Sequence, residues 1–108
     1  VTVKTGAYTL NNTTDVGNLF TTTGAGAEVP FTLPTAAADL HYGFYVQNSN
    51  GLKITAAAGD TIRLVDQVSK AAGYVSSTTV GGFVWLYCIN DTEWVGEPPS
   101  GSWTVETS

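Results

Sequence analysis

Phe83-Val84-Trp85-Leu86-Tyr87-Cys88-Ile89 is the stretch that decides the fold. Side chains alternate between the faces of a strand, so Phe83, Trp85, Tyr87 and Ile89 share one face and Val84, Leu86 and Cys88 the other. A strand with one wet face is apolar on one side only. Here both rows want burial, so the strand needs two covers. One is the rest of the chain's core; the other is a loop or a second subunit. Tyr42-Gly43-Phe44-Tyr45-Val46 repeats the pattern more weakly.

Outward from this stretch, short apolar or β-branched runs recur along the whole chain. They are Thr2-Lys4, Ala7-Leu10, Leu19-Thr22, Val29-Leu33, His41-Gln47, Leu52-Ala56, Thr61-Val65, Gly73-Ser77, Phe83-Ile89, Glu93-Gly96 and Trp103-Glu106. Turn formers separate them at the spacing of an all-β sandwich or barrel-like antiparallel domain of about 9–11 short strands. Asn50-Gly51 reads as a type I′ hairpin, since both residues tolerate positive φ. Helix is confined to a single turn over Pro34-Asp39 and another over Asp66-Ala72. The whole of 1–108 reads as one domain, with room for one hydrophobic core.

Only 12% of residues are charged, and the formal net charge is −5. The charged share is about half the usual quarter, leaving a polar, uncharged surface rich in Thr, Ser, Asn and Gly. The cations Lys4, Lys53, Lys70 and Arg63 are too few and too scattered for a nucleic-acid face or an anionic membrane surface. No apolar run reaches the ~18 residues of a membrane-spanning helix. Cys88 is the one cysteine, which excludes an intrachain disulfide and a cysteine-based zinc site. The chain starts at Val1 and has no Met, so the expectation is a C-terminal piece of a longer protein.

Catalytic machinery is hard to assemble from this residue set, and the expectation is a protein that is not an enzyme and needs no cofactor. His41 is the sole imidazole and reads as a structural or surface residue of an alternating strand. Asp91, Glu93 and Glu97 are near in sequence, but paired glycosidase carboxylates come from separate strands lining a cleft. Asn12-Thr13-Thr14 and Asn90-Asp91-Thr92 match the N-glycosylation pattern, as chance allows in an Asn- and Thr-rich chain. Trp85, Trp94 and Trp103 with the five tyrosines offer a sugar-stacking platform if exposed. For Trp94 and Trp103 the competing reading is a packed pair on the final hairpin.

The chain resembles a C-terminal β module of tailed-bacteriophage virion proteins, found at the ends of tail fibres and tail spikes. The segments that carry the resemblance, in order, include Leu19-Phe20-Thr21-Thr22-Thr23-Gly24-Ala25, Val29-Pro30-Phe31-Thr32-Leu33-Pro34 and Leu52 through Arg63. Gly73 through Gly81, Ile89 through Val95 and Gly101 through Val105 complete the set. It implies a homotrimer within a virion assembled in the bacterial cytoplasm, in contact with other virion proteins and with a host-surface glycan. On that reading Phe83, Val84, Trp85, Leu86, Tyr87 and Cys88 supply an intersubunit contact, and sheet edges pair across subunits. A monomeric carbohydrate-binding module of a secreted bacterial protein is the alternative.

Overall fold

A computed structural model describes all residues 1–108. The domain is all-β, without helix: β1 (Thr2–Val3), β2 (Tyr8–Thr9), β3 (Leu19–Thr21), β4 (Val29–Thr32), β5 (His41–Tyr45) and β6 (Leu52–Thr55) lead into β7 (Thr61–Leu64), β8 (Gln67–Val68), β9 (Tyr74–Ser77), β10 (Phe83–Cys88), β11 (Glu93–Gly96) and β12 (Thr104–Val105). Two sheets pack face to face. One has seven strands in the order β1-β3-β5-β10-β11-β7-β8; the other has five, β12-β9-β6-β4-β2.

Both sheets are mixed, which corrects the antiparallel expectation. From β1 to β6 the chain steps from one sheet to the other at every strand. Neighbours within a sheet are therefore next-but-one in sequence and run the same way: β1 with β3, β3 with β5, β2 with β4, β4 with β6. Tight hairpins need loops of two to five residues, and most links in this half are longer. The corner at Asn50-Gly51 is one such link. It carries the chain from β5 in the larger sheet to β6 in the smaller, so it is not a hairpin. Gly51 takes φ +76°, whereas Asn50 stays out of the left-handed region and donates its side-chain amide to the Ala25 carbonyl (3.0 Å).

The Asp66–Ala72 segment holds no helical turn either. Gln67–Val68 folds back on β7 through the two-residue turn Val65-Asp66. Val65 sits there at φ +57° and is exposed. The left-handed region costs an L residue roughly 1–2 kcal/mol, and a β-branched one is rarely found in it. Val65→Asn is expected to stabilise the domain by about 1 kcal/mol. Chemical denaturation should show a higher midpoint at unchanged slope; a lower midpoint would contradict the strain.

Twenty buried apolar residues fill the space between the sheets. Phe20 and Phe44 from the larger sheet meet Phe31 from the smaller at centroid separations of 5.6 and 5.2 Å. Tyr42 packs beside Trp94 at 5.9 Å and donates its hydroxyl to the Asn11 carbonyl (3.0 Å); burial pushes its pKa up to about 12. The folded chain exposes 5094 Å², below the about 5,700 Å² expected of a folded monomer of this mass. One chain thus completes its own core. All four sheet edges (β1, β8, β2 and β12) are two-residue strands. So short an edge offers little template for a further strand.

Candidate functional site

β10 lies at the centre of the seven-stranded sheet. Its inner row, Val84, Leu86 and Cys88, is 1%, 0% and 4% exposed within a single chain. Those three residues belong to the core and are closed to any neighbouring subunit, which removes half of the expected intersubunit set. The Cys88 thiol donates to the Asn90 carbonyl (3.0 Å), and burial raises its pKa, so little thiolate forms.

The outer row is different. Phe83 and Trp85 are half-buried and Tyr87 is 37% exposed. Antiparallel pairing with β5 sets Phe83 opposite Tyr45, Trp85 opposite Gly43, and Tyr87 opposite His41. The register turns these into aromatic contacts: Tyr45–Phe83 edge-on at 5.7 Å, and His41–Tyr87 stacked at 6.0 Å and 18°. The ring of Phe83 also stands 6.4 Å from that of Trp85. An aromatic band made of two clusters, Tyr45–Phe83–Trp85 and His41–Tyr87, therefore crosses the middle of this face. Aromatic cross-strand pairs stabilise a sheet by up to about 1 kcal/mol each.

Gly43 determines how Trp85 lies. A methyl group at position 43 would sit 2.7, 2.7 and 2.9 Å from three carbons of the fused ring system, Cε2, Cζ2 and Cδ2. Near-equal distances to three contiguous ring atoms arise only over the face of the ring. The indole is therefore laid flat on the Gly43 backbone, one π face against the sheet and the other turned outward. An isolated glycine inside a strand marks such a close approach, and Gly43 between Tyr42 and Phe44 is that signal in the sequence. The partner it accommodates is set by register.

Polar groups border the band on the β11 side. The Glu97 amide donates to the Trp85 carbonyl (3.1 Å), and its carboxylate accepts the Tyr87 hydroxyl at Oε1 (2.6 Å). That hydrogen bond is the main reason the Tyr87 hydroxyl has a raised pKa. Glu93 and Glu97 begin and follow the same strand, so their Cα atoms are about 13 Å apart. Glu93 instead accepts the Asn90 side-chain amide (2.8 Å). Nδ1–H of His41 donates to the Asp39 carbonyl (3.0 Å), leaving the ring against Tyr87.

The two tryptophans first weighed for glycan stacking do not form that site. Trp94 is 0% exposed in the core of the larger sheet and can stack no external ligand. Trp103 precedes β12 in the smaller sheet, half-buried, and donates Nε1–H to the Ser100 carbonyl (2.9 Å). β11 and β12 lie in different sheets, so the two are not partners across a hairpin.

Fold and surface together define a two-sheet β domain with aromatic rings on the outer face of its larger sheet; no cleft opens in it. The chain matches no known protein family, no curated protein and no solved structure.

Proposed function

We propose that the chain is a non-enzymatic structural domain of a tailed-bacteriophage virion, standing at a fibre or spike end or decorating the particle, and present in threefold copies. Its working part is the outer face of the seven-stranded sheet. The single observation that supports this most is the partly exposed aromatic row Phe83, Trp85 and Tyr87 over a core that is already complete. An aromatic face left partly open over a finished core suits contact with another molecule. The polar, weakly charged remainder and the short edges suit a body that meets other virion proteins and a host surface without aggregating. The ordered segments that resemble phage fibre ends supply the biological setting.

One observation favours the second reading, a monomeric carbohydrate-binding module. It is the surface area, which is that of a self-sufficient monomer. Light scattering coupled to size exclusion separates the two. The virion reading expects a mass three times the 11.3 kDa of one chain. A single-chain mass at micromolar concentration and above would contradict the threefold assembly and favour the module.

A further inference from the structure

We propose that Asn50 is a modification site, converted without an enzyme to aspartate and isoaspartate whenever the corner between β5 and β6 opens. The proposal is independent of the aromatic face and follows from what the closed corner holds apart.

The reaction needs one neighbour and water. The Gly51 amide nitrogen loses its proton to hydroxide and attacks Cγ of the Asn50 side chain. A bond forms between them, the Cγ–Nδ2 bond breaks, and Nδ2 leaves as ammonia. Water then opens the resulting five-membered succinimide at one of its two carbonyls. One opening leaves aspartate; the other runs the main chain through the side-chain carbons and leaves isoaspartate. No atom is oxidised or reduced. Glycine is the successor that favours the attack, because no Cβ crowds its nitrogen. Of the six asparagines only Asn50 precedes a glycine.

Asn50 is exposed, so water reaches its side chain. In the closed corner, however, both reacting groups are engaged. Gly51 N–H donates to the Asn48 carbonyl (3.1 Å), and Asn50 Nδ2 donates to the Ala25 carbonyl (3.0 Å). Asn48 anchors the arrangement: its Oδ1 accepts the Asn50 backbone amide (3.0 Å), and its Nδ2 donates to the Thr22 carbonyl (2.6 Å). An N–H bound to a carbonyl resists deprotonation, and a side chain tied to Ala25 does not swing onto that nitrogen. The corner is a gate, and its local opening sets the rate.

The products do not fit back. Each carries a carboxylate where the Ala25 carbonyl needs a donor. Isoaspartate also lengthens the main chain, and Gly51 is backed against the Ser77 carbonyl and Thr78. Each conversion therefore loosens the crossing between the two sheets and adds one negative charge.

The test ages the full chain in mildly alkaline buffer, native and in guanidinium chloride. Peptide mapping by mass spectrometry locates and times the loss of ammonia, and electron-transfer fragmentation separates isoaspartate from aspartate. Asn50 should be the first asparagine modified, roughly tenfold more slowly in the native chain than in the denatured one. Asn48→Ala, which frees the corner, should raise the native rate severalfold and leave the denatured rate unchanged. Asn50→Gln, whose longer side chain has to close a six-membered ring, should abolish the modification. Equal native and denatured rates, or an unmoved native rate in Asn48→Ala, would overturn the gate. Another asparagine reacting first, or a native chain still intact after about a hundred denatured-state half-lives, would overturn the site. The native-against-denatured comparison needs no variant, so it decides even if Asn48→Ala fails to fold.

Discussion

Leu86→Asp should leave the chain without a cooperative fold. Leu86 is 0% exposed, faces the five-stranded sheet, and stands between Tyr42 on β5 and Gly96 on β11. A carboxylate there loses its hydration and finds an apolar cluster, at a cost of about 4 kcal/mol or more. A domain of this size has roughly 5–15 kcal/mol in all, and the lost Leu packing adds to the charge penalty. Trp85→Asp is the informative companion. It is the next outward-facing residue on the same strand and only half-buried, so the charge keeps contact with water and the fold should survive. Near-ultraviolet circular dichroism and thermal unfolding of the two proteins check this. Two folded proteins, or two unfolded ones, would contradict the assignment of the two rows to core and surface.

The second large effect is at a corner. Gly51→Ala should destabilise the domain by about 3 kcal/mol, combining left-handed backbone cost with overpacking. Gly51 holds φ +76°, and an added methyl would run into the Ser77 carbonyl oxygen. That oxygen belongs to β9, where Ser77 is registered against Leu52, so the obstacle is sheet backbone and cannot step aside. Gly59 is the control: φ is +83° but nothing lies within 4 Å of a methyl there. Gly59→Ala should therefore cost only the backbone term, about 1 kcal/mol. Denaturant midpoints for the pair measure the difference. Equal losses would mean that the Gly51 corner is looser than its geometry states.

The strands were legible because alternation is a local property. Each of the eleven sequence runs contains an observed strand, from Thr2–Val3 to Thr104–Val105. The one missed strand, Gln67–Val68, is two exposed residues long and carries no alternation to read. Partnership was illegible for a different reason. Whether β4 joins β3 or β6 depends on which sheet the chain enters after each corner, and nothing in Val29-Pro30-Phe31-Thr32 records that choice. Asn50-Gly51 has hairpin composition, yet Asn50 reaches to Ala25 and the corner crosses between the sheets.

The site was half legible on the same grounds. Period two separated Phe83, Trp85 and Tyr87 from Val84, Leu86 and Cys88, but could not say which row faced the core. The whole chain's packing makes that choice. Trp94 and Trp103 looked like neighbours because they are close in sequence, and the sheet assignment places them apart. Gly43 was visible as an odd residue within an aromatic strand. Its role needed the register that puts it under Trp85.

The central claim is that the outer face of the seven-stranded sheet is where this chain meets another molecule. Hydroxyl-radical footprinting tests it most directly, comparing the dilute chain with the assembled chain. Phe83, Trp85 and Tyr87 should lose reactivity together, while Tyr74 and Trp103, on the side of the smaller sheet, keep theirs. Unchanged reactivity across the aromatic band, with protection appearing on the smaller sheet instead, would contradict it.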